Sequence, residues 1–118
     1  MPYVDGFVIP VPVKRLDEYK KLAKTTAKVW RDHGAIDYQE FVAEDVDPGK
    51  LTSFPRSVKL KPDETVVFAW IAYKSRAHRD KVNKNAMKDP RIAGMNVKNI
   101  PFDGKRMIYG GFKLLVGG

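Results

Sequence analysis

His33 and His78 are the side chains in this sequence whose ordinary titration range lies near neutral pH, so they are the first candidates for a general base or a ligand group. Arg79 follows His78 directly, and Asn85 comes seven positions later. On a helix these three share a broad side with Val82 and Ala86, and so could enter a cleft above a sheet. A buried, hydrogen-bonded histidine is the other reading of His78. His33 ends an apolar-periodic segment, where an imidazolium meets the negative end of the helix dipole, and a packing and capping role competes with a chemical one. Trp30, Trp70, Tyr38 and Tyr73 offer flat apolar surfaces for a planar ligand, at spacings that describe a core equally well. The ligand-binding candidates are therefore His78, Asn85, Arg79, Trp30 and His33, and no residue is assigned as catalytic.

The residue inventory excludes several chemistries. There is no cysteine, so a disulfide framework, a thiol nucleophile and a thiolate metal site are all ruled out. The histidines stand 45 positions apart with no adjacent carboxylate cluster, and they make no metal-ligand set. No metal and no cofactor is assigned; an axial haem ligand is the one such role left open to either histidine. The run "PGKLTS" resembles a phosphate loop only superficially, because Glu44 stands where the first glycine belongs.

Lys and Arg total 22 against 14 Asp and Glu, a net charge of +8. That balance admits nucleic acid, an acidic surface or an anionic ligand, and decides nothing about the fold. Lys50, Arg56, Lys59, Lys61, Arg76, Arg79, Lys81, Lys84 and Lys88 could together grip RNA phosphates, with Phe54 stacking on a base. No RNP-type aromatic motif or KH-type GXXG loop accompanies them, so solubilising charge is the competing reading, and DNA is not expected as a partner. The opening "MPYVDGFVIP" has neither the basic start nor the long apolar run of a signal peptide. The apolar run "VVFAWIAY" is eight residues long, against the roughly 20 needed to span a bilayer. A cytoplasmic protein without membrane spans is expected.

The elements that position these residues follow from periodicity and punctuation. The pattern predicts a strand from Tyr3 to Val11 and a helix from Lys14 to His33, closed by Gly34, with Leu16, Tyr19, Ala23, Ala27 and Trp30 on its apolar face. A second strand is read from Ala35 to Glu44. Residues 48–63 contain three prolines and read as a long loop. "ETVVFAWIAY" is a strand apolar on both faces. Ser75 caps a second helix that ends at Lys88, before Asp89-Pro90. After an irregular stretch, the turn at Asp103-Gly104 feeds a last strand from Arg106 to Val116.

The order βαββαβ predicts one α+β domain over residues 1–118, a ferredoxin-like protomer with a four-stranded antiparallel sheet and two helices on one face. Helices can cover only that face, yet Val66, Phe68 and Trp70 alternate with Val67, Ala69, Ile71 and Tyr73. The uncovered face needs a partner, and a second copy packed sheet to sheet is the simplest, so a homodimer is expected. Gly110 and Gly111, adjacent in the last strand, open one position on each face to close approach, or mark a bulge.

The blocks "YVDGFVIPVP", "KVWRDHGA", "TSFPRSVKLKPDE", "YKSRAHRDKVN" and "PFDGKRMIYGGFK" resemble the YbaA-like family of small uncharacterised bacterial proteins, nearly end to end. The resemblance implies membership of the dimeric α+β barrel superfamily, hence a ferredoxin-like protomer and a sheet-to-sheet dimer. Superfamily relatives include cofactor-free monooxygenases, haem-degrading enzymes and isomerases, many with a pocket between helices and sheet. Val82 stands near the helix position where the monooxygenases often carry a histidine, a departure from their pattern. A small-molecule-binding protein or cofactor-free enzyme with such a pocket is the function the resemblance favours; an RNA-binding or assembly protein is the alternative.

Overall fold

The computed structural model describes residues 2–95 and 97–117. β1 (Tyr3–Pro12) has β3 (Glu64–Tyr73) on one side and β4 (Ile108–Lys113) on the other, with β2 (Asp37–Val42) outside β3. Every pairing is antiparallel, in the order β2-β3-β1-β4. α1 (Leu16–Asp32) follows β1 and α3 (Arg76–Lys88) follows β3, giving the ferredoxin-like α+β arrangement. Between β2 and β3 lies a short helix α2 (Phe54–Ser57), and after α3 a second short one, α4 (Pro90–Ala93).

Strand alternation assigns each sheet residue to a layer. Val67, Ala69, Ile71 and Tyr73 pack with Ile9 and Val11 of β1 beneath the helices, where Tyr19, Val29, Trp30, Val82 and Ala86 complete the core. Val66, Phe68 and Trp70 take the opposite face. There Val58 and Leu60 of the long loop cover Val8 and Val66. The remainder of that face stays open: Phe41, Phe68, Ile108 and Phe112 are all exposed, and Trp70 lies tilted against Phe41 and edge-on to Phe68.

Local chemistry explains the boundaries. At the end of α1 the Gly34 amide donates to Arg31 and the Ala35 amide to Trp30, the paired bonds of a glycine-terminated helix, and Gly34 has φ +109°. Ser75 Oγ accepts from the His78 amide at the start of α3, and Asp89 repeats this for α4 with the Arg91 amide. Pro10 and Pro12 sit where β1 has run past the end of β4 and needs no ladder on that side.

Four expectations need correction. The last strand spans Ile108–Lys113 rather than Arg106 to Val116, because Lys113 pairs with Tyr3 at the start of β1 and the ladder runs out of partner. Arg106 belongs instead to a clamp: it forks onto both Glu64 oxygens at 2.8 and 2.6 Å, and reaches Asp103 Oδ2 at 2.8 Å and the Lys59 carbonyl at 3.0 Å. That guanidinium holds the Glu64 carboxyl below the usual range and ties the long loop to the final turn. β2 is limited to Asp37–Val42, although Ile36 and Ala43 still donate to β3. The first helix opens with a 3₁₀ turn over Val13–Arg15, so α1 starts at Leu16. The long loop contains α2, capped by Ser53 with Pro55 in its first turn.

The adjacent glycines serve different faces. Gly111 pairs with Asp5 on the helix side, and a Cβ there would come within 2.8 Å of the Tyr3 ring. That ring is pinned by Arg79, whose guanidinium lies 5.0 Å from its centroid while ion-paired to buried Asp5 at 2.5 Å. Gly110 opposes Gly6 on the open face, where a Cβ would meet only the Phe112 ring, at 3.7 Å. Gly111→Ala should therefore cost about 1–3 kcal/mol in denaturant unfolding. Gly110→Ala should stay within about 0.5 kcal/mol of the parent. Equal effects of the two substitutions would refute this assignment of faces.

Candidate functional site

α1 crosses above the sheet without filling the space beneath it, which leaves a cavity of about 370 Å³. Phe7 and Ile9 of β1, Ala69 and Ile71 of β3, and Leu22, Ala23, Thr26 and Trp30 of α1 line it. Met87 of α3 borders it, with Phe102 and Met107 from the segment before β4. Apart from Thr26, whose hydroxyl is bonded to the Leu22 carbonyl, its polar groups are Tyr19, Tyr38 and Glu40, gathered where β2 meets α1.

These three converge for simple reasons. Tyr38 and Glu40 are two apart on β2 and so point the same way, toward the helix layer. Tyr19 is in the apolar stripe of α1, a turn into the helix, which brings its hydroxyl down onto the same spot. Glu40 accepts from both phenols: Tyr38 Oη donates to Oε2 at 2.7 Å, and Tyr19 Oη donates to Oε1. Burial pushes both hydroxyls above the ordinary phenol range, and the Glu40 charge adds to the shift. At working pH both phenols therefore remain protonated donors. Glu40 also borders an outer hollow of about 360 Å³, which exposed Asp17 and Lys20 share.

Of the five residues singled out in the sequence, Trp30 alone lines this cavity. Its ring is buried and its Nε1 donates to Asn83 Oδ1 at 2.9 Å, an acceptor shared with Tyr73 Oη at 3.1 Å. His33 terminates α1 and pairs with Asp89 at 2.9 Å, where Arg91 and then His33 hold the Asp89 carboxyl far below the carboxylate range. His78 packs edge-on against Tyr73, and its Nδ1 accepts from the Lys74 amide at 3.0 Å. Arg79 is committed to Asp5, Asp80 and Tyr3. Asn85 is exposed, because the buried arc of α3 swings through Val82, Ala86 and Arg79 toward Asn83. Val82 itself is core.

Other sequence candidates sort in the same way. Tyr38 lines the cavity, Tyr73 is buried beyond it, and Trp70 is on the open face. In the basic set, Arg56 folds back onto the Pro48 and Gly49 carbonyls at 2.8 and 2.9 Å. Among the described residues, no group of three or more His, Asp or Glu side chains could hold a metal ion, and no helix is long and apolar enough to cross a membrane.

The phenol shifts set a pH dependence. A phenol whose folded pKa is raised above the unfolded one, about 10, contributes its full stability below that unfolded value and loses it as pH rises from there through the higher folded value. Burial raises Tyr73 in the same direction. Thermal stability should therefore fall above about pH 10. Tyrosinate absorbance should show Tyr19, Tyr38 and Tyr73 ionising only with unfolding, out of five tyrosines in the chain. Five phenols titrating together in the folded protein would contradict the buried cluster.

The comparisons with known proteins agree with this architecture. The chain is 45% identical over 116 residues to "Uncharacterized protein YbaA" of Escherichia coli (strain K12), covering 98% of each chain. The same figures hold for the protein of that name in Shigella flexneri. Among solved structures, an uncharacterized NIPSNAP domain protein from Burkholderia xenovorans superposes with a TM-score of 0.57 at 16% identity, covering 95% of this chain and 93% of that one. A dimeric ferredoxin-like protein from an uncultured marine organism gives 0.56 at 12% identity over 100% of both chains. These two likenesses show the fold alone. Residues 2–104 match the family described as "Protein of unknown function (DUF1428)", and with the full-length relatives above, the chain belongs to that family.

Proposed function

We propose that this protein is a homodimeric small-molecule-binding protein whose ligand occupies the cavity beneath α1. The observation that carries the reading is the cavity itself: about 370 Å³ between helix and sheet, lined by apolar side chains apart from Thr26 and the cluster of Tyr19, Tyr38 and Glu40. Ligand sites are concave, mostly apolar and carry a few convergent polar groups, and this cleft, open past exposed Met87, has that character. Enzymatic turnover without a cofactor is compatible with the same site.

The dimer rests on separate grounds. Phe41, Phe68, Ile108 and Phe112 leave one sheet face apolar and uncovered, and such a face is stabilised by burial against its own copy. The likeness to a dimeric ferredoxin-like protein supports the same arrangement.

Native mass spectrometry of freshly purified protein tests both parts. The expected species is a dimer with added small-molecule mass, and Ala23→Leu, which narrows the cavity from α1, should lose that mass while remaining folded. Phe112→Glu, at an exposed position, should give monomer by light scattering at micromolar concentration. A parent protein that is monomeric throughout would overturn the dimer. Cargo held equally by Ala23→Leu would overturn the cavity as its site.

A further inference from the structure

Every side-chain hydrogen-bond donor that lines the cavity already has a protein acceptor. Trp30 Nε1 donates to Asn83, and Thr26 Oγ1 to the Leu22 carbonyl at 3.0 Å. Tyr19 and Tyr38 must each donate to Glu40, because an ionised carboxylate can only accept. What the polar end offers a ligand is therefore lone pairs alone: two phenol oxygens, and the half of the carboxylate's roughly four acceptor positions that the tyrosines leave open. Glu40 stands between this cavity and the outer hollow that Lys20 and Asp17 share, and no lysine, arginine or histidine among the described residues is ion-paired with it, so on the cavity side its charge meets apolar side chains and the two phenols.

We infer that the cavity selects a lipophilic amine: a cation rich in N–H donors that docks on Glu40 and carries an apolar body into the space beneath Trp30. The chemistry follows from complementarity. An ammonium group brings three donors and no acceptor, and it also favours the faces of the neighbouring aromatic rings. A carboxylate or phosphate would meet only lone pairs and a like charge there, with nothing to hydrogen-bond. The selectivity thus opposes the net charge of +8, which taken alone points to an anionic ligand. This inference rests on reading the cavity as a ligand site.

The test compares 3-phenylpropylamine, 3-phenylpropionate and propylbenzene by two-dimensional amide NMR titration of the full chain, which reports both affinity and location. The amine should bind most tightly, with shifts confined to residues around the cavity, and the acid most weakly. Glu40→Gln should lower amine affinity by at least about tenfold, toward the level of propylbenzene, through loss of the charge-assisted contact. Tyr38→Phe keeps the carboxylate and frees one of its lone pairs, so amine affinity should be retained; this variant guards against an effect of misfolding alone. Propylbenzene binding in the cavity with no preference for the amine, or an amine affinity unmoved by Glu40→Gln, would overturn the selectivity and leave the cavity reading intact. Failure of all three probes to perturb cavity residues would overturn both.

Discussion

A carboxylate accepts hydrogen bonds and cannot donate them, and Glu40 does so from two elements of the structure at once. Tyr38 approaches along its own strand, while Tyr19 comes down from α1. The pair of bonds ties α1 to β2 and determines which way each phenolic hydrogen points at the polar end of the cavity. Its chemistry follows from those hydrogens, since tyrosines that would otherwise be both donors and acceptors are turned into acceptors toward the open space.

The same economy of faces governs the rest of the protomer. Two helices cover one side of a four-stranded sheet, and on that side Glu40 is held by two phenols, while Asp5 is matched by Arg79, whose guanidinium also lies on the Tyr3 ring. Gly111 exists to admit that ring. On the other side, Val58 and Leu60 shelter only one end, and an aromatic array of Phe41, Phe54, Phe68 and Trp70 is left facing outward. The Arg106 clamp holds the sheltering loop in position by joining it to Glu64 and Asp103. Folding of the long loop and of the final turn is therefore coupled through one guanidinium.

Much of this was legible in the residues. α3 runs from Ser75's cap to Lys88 as read, because a serine cap and an Asp-Pro stop are local signals that tertiary packing had no reason to override. The close of α1 at Gly34 was likewise written in one residue type. Strand ends were less legible, since an edge ladder stops where its partner stops: Leu114, Leu115 and Val116 continue an apolar run that finds no strand opposite. α2 is four residues long and carries no period, although Ser53 and Pro55 were signals of its start. For the site, periodicity identified Trp30 and the inward position of Tyr19 but misjudged the buried arc of α3 in favour of Asn85 over Asn83. The available and overlooked signal was Glu40, a charge on the inward parity of a strand, two residues from a tyrosine. A charge placed there needs partners, and finding them requires the third dimension.

Glu40 holds both phenolic hydrogens, and the most direct test is NMR observation of those hydroxyl protons with correlation to the Tyr19 and Tyr38 rings. Two slowly exchanging hydroxyl resonances, shifted downfield and both lost or moved upfield in Glu40→Leu, are the predicted result. Hydroxyl protons that exchange too fast to observe, or a spectrum that Glu40→Leu leaves unchanged, would contradict it.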